Sequence, residues 1–283
     1  DGFLWFATKD GRNRYDGYRF EVFTNDPFNP FSIAGNDIHQ IFEDSRGNLW
    51  LSIYGKGLDV LEKNSGRFLH LTFNAEKEGL TKLPIVREAP DGTVWIAMSE
   101  QLMRIRWKKE GVMDTNNPDL RASLTLEEVS PSTQPENSFF QDIHVNPDGT
   151  LLVSMLPGGI FHFSPEGKRF TSLMPSNAVF KALPLFPISP GRVLTVAGKD
   201  LFVLENGTAP RYVFSALVPP EFGITHVFPD GFGNLIWVVN SVLKGSHFYS
   251  APEEELLRNG AAVQPRLILR SAFYSFWSDV DRS

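Results

Sequence analysis

A glycine-led strand recurs six times in this chain, and that period constrains the fold more than any other feature. The clearest copies are Gly2-Phe3-Leu4-Trp5-Phe6-Ala7, Gly47-Asn48-Leu49-Trp50-Leu51-Ser52 and Gly92-Thr93-Val94-Trp95-Ile96-Ala97. Gly149, Gly191 and Gly233 open weaker ones, so the glycines stand 45, 45, 57, 42 and 42 residues apart. Five of these glycines are preceded by apolar residues nine and six positions upstream: Ile38 and Ile41, Leu83 and Val86, Phe140 and Ile143, Ala182 and Leu185, Ile224 and Val227. Two features held in one register make a repeat rather than a coincidence. A spacing of three is not the period of two of a strand with one wet face. It fits a strand buried on both faces, or one carrying a bulge.

Each period reads as four short strands, in the second unit about 37–43, 48–53, 57–62 and 67–71. Glu43-Asp44-Ser45-Arg46-Gly47 between the first two supplies local hydrogen bonding and a glycine for positive φ. Four strands at this period predict an all-β fold, a β-propeller of four-stranded blades. Six blades are the first expectation and seven the alternative. The blades fall near 1–36, 37–82, 83–138, 139–178, 179–222 and 223–270, in a single domain spanning 1–283. Ser271 to Asp279 resembles the first strand Asn36 to Asp44, so 271–283 is expected to pair into the N-terminal blade and close the ring. Trp5, Trp50 and Trp95 at one position of the repeat are expected to pack between blades. Residues 108–123 lengthen the third unit as a surface loop, and 252–258 read as a short helix with Ser250 and Glu253 as a capping box. The opening Asp1-Gly2-Phe3-Leu4-Trp5 reads as the middle of a structure, which implies a fragment of something larger.

Composition narrows the function. Hydrophobic residues make up 42%, enough for a core, and 27 Lys+Arg against 33 Asp+Glu give a net charge of −6. That lacks the basic footprint of a nucleic-acid binder. The run Arg104-Ile105-Arg106-Trp107-Lys108-Lys109 reads as an exposed strand instead. The absence of cysteine removes disulfides, thiolate metal sites and cysteine nucleophiles. No stretch of about 20 apolar residues suggests a membrane span, so no direct membrane contact is expected of this segment.

The first 73 residues are similar to a known family. Asp1-Gly2-Phe3-Leu4-Trp5-Phe6-Ala7-Thr8, Asp10-Gly11 and Asn13-Arg14-Tyr15-Asp16-Gly17-Tyr18-Arg19-Phe20 resemble the opening blade of the two-component regulator propellers. The loop Asn25 to Ile38 resembles its inter-blade loop, and Glu43-Asp44, Gly47-Asn48-Leu49-Trp50 and Gly55-Lys56-Gly57-Leu58 its next strands. Arg12 departs from the pattern, where leucine is usual. The resemblance implies the periplasmic sensor region of a Bacteroidetes-type hybrid histidine kinase. It also implies an oligosaccharide or other small ligand, a homodimer in the full-length sensor, and no enzymatic activity in this segment. Two contrasting readings are a propeller lyase or glycoside hydrolase and a pure interaction scaffold.

No motif for catalysis stands out. The six histidines do not form a metal-ligand spacing, and no phosphate loop or nucleophile elbow is present. No catalytic residue, metal or cofactor is expected. His39, His144 and His226 fall on first strands, where a polar residue would face channel water. The expected ligand face is built from loops joining second to third strands and loops entering each blade. It carries Lys9, Asp10, Arg12, Asn36, Tyr54, Lys56, Glu100, Gln101 and Lys199.

Overall fold

The computed structural model describes residues 4–8, 11–73, 83–109, 112–129, 134–175, 184–205, 208–216, 218–219, 222–241 and 245–271. The chain forms two compact units, Asp1–Pro131 and Ser132–Ser283.

The first unit holds three antiparallel sheets. One has three strands, β1 (Leu4–Thr8), β2 (Gly11–Tyr15) and β3 (Phe20–Phe23). The next has four in sequence order, β4 (Ile38–Glu43), β5 (Leu49–Ile53), β6 (Gly57–Leu61) and β7 (Phe68–Leu71). The third has β8 (Ile85–Glu88), β9 (Val94–Met98), β10 (Gln101–Trp107) and β11 (Leu124–Glu128). The second unit holds three more four-stranded sheets. They are β12 (Phe139–Val145) to β15 (Arg169–Pro175) through β13 (Leu151–Leu156) and β14 (Gly159–Ser164); β16 (Leu185–Ser189) to β19 (Arg211–Ser215) through β17 (Arg192–Ala197) and β18 (Asp200–Glu205); and β20 (Gly223–Pro229) to β23 (Arg266–Ser271) through β21 (Asn234–Ser241) and β22 (Gly245–Pro252).

Among the described residues five four-stranded blades are complete, where six, or alternatively seven, were expected. The sixth sheet stops at three strands because no described strand hydrogen-bonds to the free edge of β1. The closing strand expected within 271–283 lies outside the described residues after Ser271.

The upstream spacing of three has its reason in the ladders. In three of the five blades a register shift falls inside the spaced pair, between Ile38 and Gln40, Phe140 and Asp142, and Ile224 and His226. A bulge inserts one extra residue and so returns positions three apart to the same face. Ile38, Phe140, Ile143, Ile224 and Val227 are buried accordingly. The second strands β5 and β9 show no alternation at all. All five residues of β5 and of β9 are buried, as in a strand covered on both faces.

Within each unit the core sits between consecutive sheets. Trp50 joins Leu58, Val60, Leu69 and Leu71 of its own blade to Val86, Val94, Ile96 and Met98 of the next. Trp237 does the same with Leu194, Val196, Val203 and Phe214. This is the packing role expected of Trp50. Trp95 is buried as well, and the Trp5 side chain lies outside the described residues.

The hairpin turns repeat as closely as the strands. In Asp44–Asn48, Ala89–Thr93 and Asn146–Thr150 the first N–H donates to the carbonyl of the fifth residue, and the glycine N–H donates back to the first carbonyl. Gly47, Gly92 and Gly149 have φ of 80°, 81° and 81°, the left-handed region that glycine enters without strain. Asp44 makes the tightest version. Its buried carboxylate accepts from the N–H groups of Arg46 and Asn48, the Asn48 amide and Trp50 Nε1 at 2.9–3.2 Å.

Two local expectations are corrected. The helix is α1 (Glu253–Asn259), but Pro252 is its N-cap and no side chain caps it. Ser250 is instead committed to β22, opposite Ile236 and Arg266. Residues 112–123 are more than a surface loop. They contain a 3-10 turn whose Leu120 is fully buried in the core beside Trp50. Arg104 and Arg106 of the basic run both donate to Glu127 on β11, which holds its carboxyl at about 2.

Candidate functional site

The second blade gathers three of the sequence-predicted residues at one end. The register Ile38 opposite Ile53 puts the entry loop to β4 beside the β5–β6 turn. The Tyr54 N–H then donates to the Asp37 carbonyl at 2.9 Å, which ties the two segments together. Gly35 permits this approach. A Cβ there would stand 3.1 Å from Ile53 Cγ2 and 3.3 Å from Lys56 Cγ.

Asn36 is exposed, and its side-chain oxygen accepts from the Asn25 N–H at 2.8 Å. Its amide hydrogens have no partner among the described residues. Tyr54 is 49% exposed, and its ring lies 5.9 Å from that of His39. His39 Nε2 is 3.1 Å from Asp37 Oδ1. That shielded oxygen accepts no hydrogen bond among the described residues. Lys56 closes the turn with its N–H on the Ile53 carbonyl at 3.1 Å. Gly57 carries the return at φ 106°, where a Cβ would meet the Leu71 carbonyl at 2.7 Å.

The loop is held from beneath by a charged pair. Asp59 on β6 is buried and directly opposite His70 on β7. Its Oδ1 accepts from His70 Nδ1 at 2.8 Å, and its Oδ2 accepts from the Ala34 N–H at 2.7 Å. His70 Nε2 faces the Pro30 carbonyl at 2.9 Å. Both ring nitrogens meet acceptors, so the imidazolium is the form that fits. The hydrogen bond to Asp59 raises the His70 pKa against the opposing effect of burial.

This end of the blade therefore offers an aromatic face, an ammonium, an amide, an imidazole and the partly exposed Asp37 carboxylate. Such a set can stack and hydrogen-bond a polar ligand. His39 and Asp37 complete it. Sequence reading had placed His39 facing channel water, without the tie that brings it to Tyr54.

The other expected residues are distributed. Glu100 lies in the β9–β10 turn after Ser99, which has φ 51°, and Gln101 begins β10. Ile85 opposite Ala97 puts that turn at the corresponding end of its own blade. Arg12 lies within β2, opposite Ala7 and Phe23, rather than in the turn. Lys9 and Asp10 lie outside the described residues. Lys199 belongs to the second unit, in the β17–β18 turn, where its carbonyl accepts from the Ala216 N–H at 2.8 Å. His144 and His226 lie on β12 and β20, and His226 Nδ1 is 3.1 Å from Thr225 Oγ1. Among the described residues no group of three His, Asp or Glu side chains is placed to hold a metal ion. None of their helices is long and apolar enough to cross a membrane.

Residues 32–55 match the family profile described as two component regulator propeller, so the chain carries that repeat. No curated protein matches the chain. Among solved structures it is similar to the extracellular domains of two hybrid two component systems of B. thetaiotaomicron. One is 18% identical with a TM-score of 0.61, over 87% of this chain and 32% of that one. The other is 14% identical with a TM-score of 0.71, over 96% and 36%. It is also similar to virginiamycin B lyase from Staphylococcus aureus, at 10% identity and a TM-score of 0.66, over 95% and 82%. These likenesses show the fold, a β-propeller of four-stranded antiparallel blades. The chain spans about a third of the length of the sensor domains that it matches.

Proposed function

We propose that this chain, which carries a two component regulator propeller repeat, is part of the periplasmic ligand-sensing region of a hybrid two component signalling protein. It binds its ligand without transforming it, and the ligand is an oligosaccharide. The observation that carries this reading is a coincidence of place. The matched repeat, residues 32–55, contains Asn36, Asp37, His39 and Tyr54, the same residues that the fold gathers at one end of the second blade. A sugar presents hydroxyls in a plane around an apolar face, and a half-exposed aromatic ring flanked by amide, ammonium and carboxylate answers that chemistry. In the full-length protein the sensor works as a homodimer.

The test is a thermal-shift screen against an oligosaccharide panel, with mass analysis of each glycan after overnight incubation. A ligand that binds only the folded state at a hundred times its Kd adds about 2.7 kcal/mol of stability. A stabilising glycan recovered intact supports the sensor. Cleaved glycan supports an enzyme, and a panel without a stabilising member supports a scaffold.

A further inference from the structure

The opposite end of the second blade carries a cavity of about 330 Å³, lined by Arg46, Asn48, Glu62, Asn64, Val112, Met113 and Thr115. Two of its walls are the β4–β5 and β6–β7 turns. The third is the insertion that lengthens the third unit, pinned across the blade by contacts distant in sequence. Arg67 Nη1 donates to the Thr115 carbonyl at 2.7 Å, the His70 N–H to the Pro118 carbonyl at 2.6 Å, and Arg121 Nη2 to the Thr72 carbonyl at 2.9 Å. The volume lies at the low end of small-molecule sites, which run from about 300 to 1,000 Å³.

The polar groups here differ in how far they are already used. Asn48 is committed: its amide donates to Asp44 and its oxygen accepts from the Lys63 N–H. Arg46 is exposed, and its guanidinium has no hydrogen-bond or ionic partner among the described residues, whereas Arg67, Arg104 and Arg121 each have one. The Thr115 hydroxyl is also without a partner there. Glu62 accepts from the N–H groups of Asn64 and Ser65 and from the Asn64 amide at 2.7–3.1 Å. Partial burial pushes its carboxyl up, but those bonds together outweigh burial and keep it ionised. Glu62 Oε1 already accepts two hydrogen bonds, so the spare lone pair is on Oε2, and the Asn64 side-chain carbonyl stays open.

A ligand must therefore bring an anionic fork for Arg46 and hydroxyl donors for Glu62 and Asn64. It must also rest one apolar edge on Val112 and Met113. A phosphate dianion or a dicarboxylate would bring a second negative charge that Arg46 cannot pair and Glu62 repels, and a neutral sugar would leave Arg46 unused. We infer that this cavity binds a small polyhydroxylated monocarboxylate, a sugar acid or an acidic sugar. The inference rests on the ligand-sensing reading but concerns a site at the other end of the blade from Tyr54.

Calorimetric titration of the 283-residue chain at pH 7 with D-glucuronate, D-gluconate and D-glucose tests it. Both acids should bind saturably, and glucose at least about tenfold more weakly. Arg46→Gln should weaken glucuronate about tenfold or more, the loss of one charged pair, at an unchanged melting temperature. Val112→Glu, at an exposed site, should do the same by adding a second carboxylate, while Tyr54→Ala should leave glucuronate affinity unchanged. Equal affinity for glucose, unweakened binding to Arg46→Gln or no binding of either acid would overturn the inference. A neutral oligosaccharide that stabilises the native chain and Arg46→Gln equally would keep the sensor reading while the acids fail. Failure of the neutral panel with success of the acids would separate the two in the other direction.

Discussion

Replacing Asp44 by alanine removes one buried carboxylate and leaves four donors without an acceptor. The Arg46 N–H turns to water at the exposed turn. Trp50 Nε1 cannot, because that side chain is 1% exposed in the core between two blades. The N–H and side-chain amide of Asn48, itself buried, are only slightly better placed. A buried donor left unpaired costs about 1–3 kcal/mol. Three of them bound the loss at about 3–9 kcal/mol, and rearrangement of the turn toward water brings the expectation to about 3–5 kcal/mol. Asp44→Asn keeps the size and one acceptor oxygen and should lose roughly half as much. Asp230 is the matched control. It makes the same turn contacts, to the Phe232 and Asn234 N–H groups and the Asn234 amide, but only partly buried and without a tryptophan donor, so Asp230→Ala should shift stability far less. Urea unfolding of the three variants, followed by tryptophan fluorescence, gives the order. A cost below about 1 kcal/mol for Asp44→Ala, or equal costs for Asp44→Ala and Asp230→Ala, would refute the argument from buried donors.

The His70–Asp59 pair should make stability depend on pH. Its histidine has a raised pKa in the fold, so the contribution is complete below the unfolded value of about 6.5 and fades as pH rises through the folded value. Melting temperatures between pH 6 and 9 should therefore fall in the native chain relative to His70→Gln, and parallel curves would count against the charged pair. Gly57→Ala places a Cβ 2.7 Å from the Leu71 carbonyl at φ 106° and should cost about 2–3 kcal/mol. Gly55→Ala, whose Cβ meets nothing within 4 Å, should pay only for its φ of 68°, and equal losses in urea would contradict the steric account.

Much of the fold was legible because the repeat is written by local chemistry. A glycine is needed wherever the first hairpin turns through positive φ, so Gly47, Gly92 and Gly149 mark the same turn three times. The spacing of three was legible as an anomaly, and the bulges at Ile38, Phe140 and Ile224 give its cause. Local signals also misled. Ser250 and Glu253 spell a capping box, but Ser250 is taken by pairing on both sides in β22. The strand expected to complete the first blade was read from the likeness of Ser271–Asp279 to Asn36–Asp44, and it lies outside the described residues after Ser271. The candidate site was half legible. Asn36, Tyr54 and Lys56 were named from loop position, and the register of β4 on β5 brings them together. Arg46 was not singled out, because the wall that makes its turn a cavity comes from Thr115, held by Arg67 from 48 residues away.

The central claim is that the Tyr54 end of the second blade binds an oligosaccharide and leaves it intact. Calorimetric titration of the native chain and of Tyr54→Ala with a glycan that raises the melting temperature tests it most directly, provided that the glycan is recovered and weighed by mass spectrometry. Tyr54 is half exposed, so its removal should cost under roughly 0.5 kcal/mol of stability. The account predicts saturable binding to the native chain, affinity at least about tenfold lower for Tyr54→Ala, as expected for loss of a stacking platform, and a glycan of unchanged mass. Equal affinity in the two proteins, or a glycan shortened by incubation, would contradict it.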